Sequence, residues 1–445
     1  MLRVAVVGSG PSGCYTAQNL VQRDAEVRVD VLDRLPCPYG LVRYGVAPDH
    51  EKIKSLQGSL RTVLEHERVR FLGGVRVGDG AGGLPVQRLR GLYHAVVYCV
   101  GAATDRRLGI PGEELPGSWS ATEFVSWYSA HPDAADAGFL RGVRSAVVIG
   151  VGNVAVDVSR MLVRSAAELR PTDMPQGALD ALAASELAEV HMVGRRGPAQ
   201  ARFTTKELRE LGALPGTEVV VDPAELTLDP ADSGALPPGQ RRNLEVLRDW
   251  AVRPPSGVSR RIRLRFFLRP VELLADDGRV GAVRFERTAP DGQGGVTGTG
   301  RYEDVPAQLV LRSVGYRGVP LDGLPFDAAS GTVPHVAGRV VRGGTASPGE
   351  YVAGWIKRGP TGVIGSNRSC AKETVTSLLA DAPVLARAEV PEDAVAALRA
   401  AGIEPVPWGG WLAIERAEAE LGARLGRSVV KLSDWDTLLE AARSA

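Results

Sequence analysis

The first 33 residues alternate between short apolar runs and a glycine-rich turn. Val4–Val7 contains no polar position and is rich in β-branched residues, which is typical of a strand buried on both faces of a parallel sheet. A helical stretch is predicted over 13–23, and a second strand over 26–32 ends in Asp33. The order of strand, glycine turn, helix, strand and acid predicts a βαβ unit.

The turn places glycines at Gly8, Gly10 and Gly13. The first permits a tight turn, the second lets backbone N–H groups approach a diphosphate, and the third lets the helix pack close to the strand. The amino terminus of the helix also favours an anion. Asp33 follows Gly13 by 20 residues, where a carboxylate can accept hydrogen bonds from ribose hydroxyls. Glycines often only make turns, but this context predicts a dinucleotide site, for either FAD or NAD(P).

Residues 143–157 repeat the pattern. A strand is predicted over 146–149 and a helix over 153–165, and the turn between them contains Gly150, Gly152, Asn153 and Val154. Alanine occupies the third glycine position, which the fingerprint allows. The second fingerprint begins about 140 residues after the first, so the chain is expected to bind two dinucleotides.

Two arginines indicate which nucleotide the second site selects. The strand predicted over 189–193 is followed by Arg195 and Arg196. A site selective for NAD would place a carboxylate here for the ribose 2′-hydroxyl, whereas two guanidinium groups suit a 2′-phosphate. A solvated charge pair at the end of a strand is the alternative, but the position favours NADP.

The other apolar patterns predict the elements around these two units. A buried strand over 93–100 ends at the small residues Gly101 and Ala102. The tail, 387–445, has two amphipathic helical segments, and its tryptophans are expected to pack in the core rather than relay electrons. The remaining predictions are a helix over 54–67, strands over 69–72, 259–268, 280–288 and 305–313, a hairpin loop over 289–300 and a loop over 222–238.

Composition excludes several classes of function. The net charge of +1 over 445 residues gives no reason to expect nucleic acid, and no apolar run approaches the length of a membrane span. The first strand begins by residue 4 without a charged and apolar leader, so we expect a cytoplasmic protein. No CxxC or CxxxxC pair occurs, which argues against a redox-active dithiol, a structural zinc and an iron–sulfur cluster, and no metal is expected. The four cysteines are Cys14, Cys37, Cys99 and Cys370.

Four further blocks of sequence match a known family. They are PYGLVRYGVAPDH at 38–50, GVGNVAVD at 150–157, VGRRGPAQARFTTKELREL at 193–211 and GWIKRGPTGVIG at 354–365. With the opening fingerprint, they resemble the ferredoxin–NADP reductases of the adrenodoxin reductase type. The family usually has Trp where this chain has Tyr39 and Glu where it has Asp33, and both changes are conservative.

The resemblance implies two sets of binding residues. At the flavin ring it implies Gly362–Ile364, and at the nicotinamide face Trp355 with Gly362. His50 and Glu210 match positions near the nicotinamide, where we expect them to orient the carboxamide or modulate proton transfer. The FAD set is Gly8, Gly10, Pro11, Ser12, Gly13, Asp33, Arg34, Gly40, Leu41, Val46, Gly101, Ala102, Trp355, Gly362, Val363 and Ile364. The NADP set is Gly150, Gly152, Asn153, Val154, Arg195, Arg196, Glu207 and Gly362.

The resemblance further implies an α/β chain with two Rossmann-like dinucleotide-binding domains, mostly parallel sheets and small β layers. An NADP domain, 106–317, is inserted into an FAD domain formed by 1–105 and 318–445. The implied activity belongs to EC class 1.18.1. NADPH gives a hydride to FAD, and single electrons pass to a ferredoxin or adrenodoxin-like iron–sulfur protein, with a cytochrome P450 as a further acceptor. We expect a monomer or a weak dimer.

The sequence leaves one alternative function open and argues against two others. The small subunit of glutamate synthase shares the tandem arrangement but normally carries a cysteine-rich segment before the first strand. The cysteine spacing excludes a dithiol flavoprotein reductase, and a binding or assembly protein would not need an NADP-selective site. A cluster of arginines in the second half could steer an acidic ferredoxin or simply be solvated. These arginines are Arg241, Arg242, Arg260, Arg261, Arg263 and Arg265.

Overall fold

The structure is a computed structural model that describes residues 1–80, 82–134, 138–228 and 236–444. The strands in these ranges are β1 (Arg3–Val7), β2 (Arg28–Leu32), β3 (Val69–Leu72), β4 (Ala95–Tyr98), β5 (Thr104–Asp105), β6 (Ser118–Ser120), β7 (Ser145–Ile149), β8 (Glu189–Val193), β9 (Thr217–Val221), β10 (Arg260–Arg265), β11 (Leu268–Asp276), β12 (Arg279–Pro290), β13 (Val296–Pro306), β14 (Leu309–Arg312), β15 (Tyr316–Arg317), β16 (His335–Val336), β17 (Arg339–Arg342) and β18 (Thr345–Val352).

The α-helices in the same ranges are α1 (Pro11–Arg23), α2 (Leu41–Tyr44), α3 (Glu51–Lys54), α4 (Leu56–Leu64), α5 (Val86–Arg90), α6 (Ala121–Tyr128), α7 (Asn153–Val163), α8 (Ala166–Leu169), α9 (Gln176–Ala183), α10 (Thr205–Leu211), α11 (Pro238–Ala251), α12 (Trp355–Arg358), α13 (Ser366–Leu385), α14 (Ala394–Arg399), α15 (Trp408–Arg424) and α16 (Trp435–Arg443). None of the helices in the described ranges combines the length and the apolar composition needed to cross a bilayer.

The chain divides into two compact units. Unit 1 comprises Met1–Thr104, Ser129–Asp133 and Tyr316–Ala445, and unit 2 comprises Asp105–Tyr128 and Ala134–Gly315. The chain therefore leaves unit 1 and returns to it, and unit 1 also takes in a five-residue segment that interrupts the sequence of unit 2.

Unit 1 is built on a seven-stranded sheet with the order β16-β17-β18-β4-β1-β2-β3. Strands β18, β4, β1, β2 and β3 are parallel, and β16 and β17 continue the sheet antiparallel. One apolar cluster joins the strands to α1, α4, α13 and the tail helices, and a second covers the opposite face. Burial on both faces explains why the central strands are apolar throughout.

Unit 2 contains a six-stranded parallel sheet with the order β6-β14-β7-β8-β10-β9. Its main apolar cluster includes residues of α6, α7, α9, α10 and α11. A three-stranded antiparallel sheet, β11-β12-β13, contributes Val283 and Phe285 to a second cluster with Val147 and Val310 of the parallel sheet. The predicted fold class, an α/β chain with mostly parallel sheets and a small β layer, is confirmed.

Several predicted elements need correction in unit 2. The strand predicted over 259–268 is two strands, because Phe267 has a φ of 57°, which breaks the extended backbone between β10 and β11. The strand predicted over 305–313 is likewise divided between the end of β13 and β14. The hairpin loop is shorter than predicted, since only 291–295 separate β12 from β13. The predicted loop 222–238 includes 229–235, which lie outside the described residues.

The segment Ser129–Asp133 is fixed within unit 1 by polar contacts. The indole Nε1 of Trp435 donates a hydrogen bond to Asp133 over 2.8 Å, and Arg34 pairs with the same carboxylate at 2.6 Å. The ring of His131 lies against Tyr44, with centroids 5.0 Å apart. Burial, assisted by the charge of Arg34, lowers the pKa of His131 to about 4. The imidazole is therefore neutral near pH 7.

The tail helices α15 and α16 pack on unit 1. Trp411 is only 1% exposed and lies edge-on to Tyr39, with ring centroids 5.8 Å apart. Trp408 and Trp435 are partly buried against the same apolar cluster. The prediction that the tail tryptophans pack in the core is confirmed for Trp411, whereas Trp408 and Trp435 lie at the margin of the cluster.

Candidate functional sites: two dinucleotide-binding turns

The glycine turn of unit 1 is shaped by close contacts of the backbone. Gly8 follows β1 and donates its N–H to the carbonyl of Leu32 over 2.7 Å. A Cβ on Gly13 would lie 1.8 Å from the carbonyl oxygen of Gly8, so only glycine lets α1 begin so close to β1. Pro11 occupies the first turn of α1, which therefore starts two residues before the predicted position. The turn presents the amino terminus of a 13-residue helix.

The predicted FAD residues gather at one edge of the sheet. Gly8 follows β1, Asp33 follows β2, Gly101 follows β4 and Gly354 follows β18. These four strands are neighbours in the order β18-β4-β1-β2, and they are parallel, so their carboxyl ends share an edge. Ligands of open parallel sheets bind outside this edge.

Asp33 is held in place by its own neighbours. Its Oδ2 accepts hydrogen bonds from the N–H of Ser9 at 2.8 Å and from the Ser9 hydroxyl at 2.5 Å, and its Oδ1 accepts from the N–H of Leu35 at 3.0 Å. A carboxylate offers about four acceptor positions, so the group keeps capacity for a ribose hydroxyl. The predicted ligand Arg34 is engaged with Asp133 in this structure.

The loop after β2 folds back onto the glycine turn. The N–H of Tyr39 donates to the carbonyl of Ser9 at 3.2 Å. A Cβ on Gly40 would lie 2.9 Å from the Cα of Gly10, so the two backbones touch. The short helix α2 starts at Leu41, and the N–H of Val46 donates to the carbonyl of Leu41 at 2.8 Å. Gly40 therefore lies against the turn, and Leu41 and Val46 belong to the same loop; their contact with a cofactor stays a prediction.

Two buried polar groups at this edge lack a protein partner. The hydroxyl of Ser12, in the first turn of α1, and the indole Nε1 of Trp355 have no hydrogen-bond partner among the described residues. Such groups are uncommon in native proteins and mark places where a ligand or water binds. Trp355 follows Gly354 and stacks at a tilt on Tyr316, with centroids 5.3 Å apart. A ligand at the sheet edge would supply the missing partners.

The GWIKRGPTGVIG block forms a turn that opens the longest helix of unit 1. Gly362 has a φ of 79°, and a Cβ there would lie 2.6 Å from the Ser366 hydroxyl. Val363 is 69% exposed although it is apolar. The 20-residue helix α13 begins at Ser366, so its positive end lies directly after Gly362–Ile364.

The turn of unit 2 repeats the geometry of the first. Gly150 follows β7, and a Cβ there would lie 2.2 Å from the carbonyl oxygen of Ser313, which follows β14. Gly152 is the N-cap of α7, and Asn153 and Val154 form its first turn. Ala155, in the third glycine position, is fully buried. Strands β14, β7 and β8 are parallel neighbours, so their carboxyl ends again share an edge.

The two predicted phosphate-binding arginines are not neutralised by the protein. Arg195 and Arg196 follow β8, and their guanidinium groups have no hydrogen-bond or ion-pair partner within the described ranges. Arginines of the neighbouring strand β10 differ. Arg261 pairs with Glu218 at 3.4 Å, Arg263 with Glu189 at 2.5 Å, and Arg265 with Glu225 at 3.0 Å and Glu303 at 2.9 Å.

These ion pairs reduce the positive charge that the cluster of six arginines could offer to an acidic ferredoxin. Arg261 and Arg263 pair with carboxylates on the adjacent strands β9 and β8, and Arg265 pairs with Glu225 and Glu303 outside the parallel sheet. Arg260 donates to the carbonyl of Val163 at 2.6 Å. The positive charge of β10 is therefore largely offset locally. Of the six, only Arg241 and Arg242, at the start of α11, are exposed rather than partly buried.

Helices α7 and α10 bring a charged cluster together in unit 2. Arg160 is 1% exposed and pairs with Asp157 at 2.8 Å, one turn earlier on α7. Its guanidinium also lies 3.6 Å from Glu210 and 3.9 Å from Glu207. The sequence indicated Glu207 and Glu210 but missed Arg160; the Asp157–Arg160 spacing was the available signal. Of the other predicted residues, His50 and Gly362 lie in unit 1.

The cysteines show no sign of a reactive dithiol. All four are free and buried. Burial raises the pKa of Cys37 to about 11 and that of Cys99 to about 12, and it raises the pKa of Cys14 further. These thiols therefore stay protonated near neutral pH, whereas redox-active cysteines are favoured by a lowered pKa.

Comparison with known proteins agrees with this geometry. Residues 2–211 match the family described as pyridine nucleotide-disulphide oxidoreductase. The chain is 45% identical to NADPH-ferredoxin reductase FprA of Mycobacterium tuberculosis, with 98% of each protein covered. It is 40% identical to the mitochondrial NADPH:adrenodoxin oxidoreductase of Arabidopsis thaliana, with 99% of this chain and 95% of the relative covered.

A solved structure of a relative has the same fold. The structure of Mycobacterium tuberculosis FprA in complex with NADPH superimposes with a TM-score of 0.92 at 44% identity and covers 99% of both chains. Sequence and fold thus agree over essentially the whole length of the chain. The chain belongs to the family of ferredoxin–NADP reductases of the adrenodoxin reductase type.

Proposed function

We propose that this protein is an NADPH–ferredoxin reductase that holds FAD in unit 1 and NADPH in unit 2. One observation carries the assignment: each unit has its own glycine turn at the carboxyl edge of its own parallel sheet, and Arg195 and Arg196 of the second unit have no carboxylate partner among the residues that the structure describes. Two such sites suit a flavin and a phosphorylated nicotinamide nucleotide. The names of the relatives supply the ferredoxin as acceptor.

The residues of unit 1 fit FAD. The first turn of α1 offers N–H groups to the diphosphate, and Asp33 can accept hydrogen bonds from the ribose hydroxyls. The buried Ser12 hydroxyl has no hydrogen-bond partner among the described residues and could bind the cofactor. The positive end of α13 would stabilise negative charge on the reduced flavin beside Gly362–Ile364. When bound, FAD accepts a hydride from NADPH and releases the electrons singly to an iron–sulfur protein. The resemblance extends this to a cytochrome P450 as terminal acceptor.

The residues of unit 2 fit NADPH. Gly152 and the first turn of α7 offer N–H groups to the diphosphate, and Arg195 and Arg196 would bind the 2′-phosphate through charged hydrogen bonds. Glu207 is positioned by the Thr204 cap of α10, whose hydroxyl accepts the N–H of Glu207 at 3.3 Å. We assign His50 and Glu210, from the resemblance, to the nicotinamide end.

The first test concerns the acceptor. NADPH-driven reduction of cytochrome c by the purified protein should rise strongly when a small bacterial ferredoxin is added, because the reductase passes electrons to ferredoxin and ferredoxin passes them on. NADH in place of NADPH is the control and should support little reduction. If NADPH bleaches the flavin but ferredoxin adds nothing, the acceptor assignment fails while the two-site flavoprotein survives.

The second test concerns the 2′-phosphate. Changing Arg195 and Arg196 together to Gln should raise the KM for NADPH about a hundredfold, since each charged hydrogen bond contributes about 1.5–3 kcal/mol. The KM for NADH should change little. Arg301→Gln, an exposed arginine on β13 of the same unit, is the matched control and should leave both values unchanged. Equal effects on NADPH and NADH would refute the phosphate assignment.

The third test concerns the glycine turn of unit 1. Gly13→Ala should weaken FAD binding at least about a hundredfold, about 3 kcal/mol, because the added methyl group overlaps the Gly8 carbonyl. Gly58→Ala, in the exposed helix α4 with open space around its Cβ, should retain FAD and gain up to about 1 kcal/mol in stability. Absorbance at the flavin band and thermal unfolding report both. Undiminished FAD in Gly13→Ala would contradict the site.

The fourth test concerns His50. His50→Ala should slow reduction of the bound flavin by NADPH, measured by stopped-flow absorbance, by about tenfold or more, while FAD content stays at the parent level. His66→Ala, a partly buried histidine of the same unit, should change neither. Loss of FAD from His50→Ala would instead identify His50 as a structural residue of its loop.

A further inference from the structure

The C-terminal tail contributes a buried ion pair to the loop beside the FAD turn. Arg43, on α2, and Glu418, on α15, are 375 positions apart in sequence, and each side chain is 4% exposed. The pair is bidentate, with Nη2 to Oε1 at 2.5 Å and Nη1 to Oε2 at 3.2 Å. Burial opposes the charge of Arg43, but the attraction of Glu418 outweighs it and raises the pKa of Arg43.

The carboxylate and the tail backbone support each other. Glu418 Oε1 also accepts the N–H of Leu432 at 3.0 Å, and the Glu418 carbonyl accepts the N–H of Val430 at 3.1 Å. The segment between α15 and α16 is thus folded back onto Glu418. It carries Lys431, which is 3% exposed and whose Nζ donates to the Arg43 carbonyl at 2.6 Å.

Aromatic contacts complete the attachment. The Arg43 guanidinium lies 4.9 Å from the ring of Trp411, on the same face of α15 as Glu418, and Trp411 also contacts Tyr39 edge-on. Side chains at 411, 418 and 431 therefore hold both ends of the segment 39–43. Each of these contacts is buried, so none is weakened by solvent as a surface ion pair would be.

The segment 39–43 is in direct contact with the glycine turn. The Tyr39 N–H binds the Ser9 carbonyl, and the backbone of Gly40 touches that of Gly10. Tyr39 has a φ of 82°, which a non-glycine residue adopts only when its surroundings impose it. A shift of Arg43 would pass through these residues to the turn that receives the FAD diphosphate.

We infer that Glu418 is a positioning residue for FAD: through Arg43 it fixes the loop 39–46 against the glycine turn, so that retention of the cofactor depends on the C-terminal tail. The inference rests on the proposed FAD site of unit 1. The sequence pattern of the tail predicts only packing in the core. The contacts of Glu418 give the tail a second role, in retention of the cofactor. Glu418 itself need not touch the cofactor.

The effect of removing Glu418 follows from the burial of its partner. Glu418→Gln leaves the Arg43 guanidinium buried without a counter-charge, and such a group moves toward solvent or distorts its surroundings. Since Arg43 lies three residues after Gly40, the loop moves with it. We expect FAD to dissociate at least about tenfold faster than from the parent protein.

The experiment follows release of FAD by its fluorescence after dilution of the holoprotein, at a temperature where all variants remain folded. Glu350→Gln is the matched control. Glu350 is fully buried in unit 1 and bonds to Arg342, Ser347 and Tyr98, none of which is a predicted FAD residue. It should lower the unfolding temperature but leave FAD release within about twofold of the parent. Equal release from both variants, or parent-like release from Glu418→Gln, would overturn the inference.

Two further variants keep the test decisive if Glu418→Gln folds poorly. The double variant Arg43→Met with Glu418→Leu removes both charges and should retain FAD better than the single variant, since no buried charge is left unpaired. Lys431→Met loses the bonds of the Lys431 Nζ to the carbonyls of Arg43 and Ser129, and should release FAD several-fold faster. A double variant no better than the single one, or parent-like release from Lys431→Met, would contradict positioning by these charges.

The assay contains neither NADPH nor ferredoxin, so it is independent of the acceptor. Parent protein that purifies without FAD and takes up none would refute the proposed function itself. Parent protein that binds FAD, together with a Glu418→Gln variant that holds it equally well, would refute only the role of the tail.

Discussion

The close approach of α1 to β1 at Gly8 and Gly13 is the constraint on which the first site depends. No side chain fits between the Gly13 Cα and the Gly8 carbonyl, so the helix begins directly over the end of the strand. That position brings the positive end of α1 to the sheet edge where Asp33, Gly101 and Gly354 also lie. In unit 2, Gly150 lies close to the Ser313 carbonyl of the neighbouring strand end, as Gly8 lies close to the Cys99 carbonyl in unit 1. The chemistry of each unit follows from where this steric constraint places backbone N–H groups.

Local sequence was sufficient for the elements that make the turns. Strand β3 and strand β8 have the predicted bounds, and α7 begins at the predicted Asn153. These elements depend on neighbours in sequence, since strand burial, glycine spacing and the start of a helix are local properties. The family resemblance added the site residues that no local pattern reveals, and those assignments stay predictions.

Contacts between distant parts of the chain could not be read from the sequence. The Arg43–Glu418 pair joins residues 375 positions apart, and nothing in either local pattern names the partner. The membership of Ser129–Asp133 in unit 1 rests on Trp435, Lys431 and Arg34, which are also distant from that segment in sequence. The break at Phe267 was missed because an apolar, arginine-alternating run continues through it, whereas a positive φ is imposed by the change from one sheet to another.

The arginines show why charge alone is a poor guide to function here. Arg261 and Arg263 of β10 form ion pairs with carboxylates of the neighbouring strands, and Arg265 pairs with Glu225 and Glu303 outside the parallel sheet. Arg195 and Arg196, which follow β8, have no such partners in the described ranges. A guanidinium that the protein leaves unneutralised at a nucleotide-binding edge is available to a phosphate. Whether an arginine is paired depends on the carboxylates that the fold brings near it, so the two groups of arginines can be told apart only in the structure.

The proposed function requires that this chain carry one flavin that NADPH reduces, without a redox-active disulfide beside it. An anaerobic titration of the purified protein with NADPH, followed at the flavin absorbance band, tests this requirement. We predict complete bleaching at one equivalent of NADPH per flavin, because one hydride carries the two electrons that reduce the flavin fully and the buried cysteines take up no electrons. Bleaching that requires two equivalents would reveal a redox-active disulfide, and a flavin that NADPH leaves oxidised would contradict the account altogether.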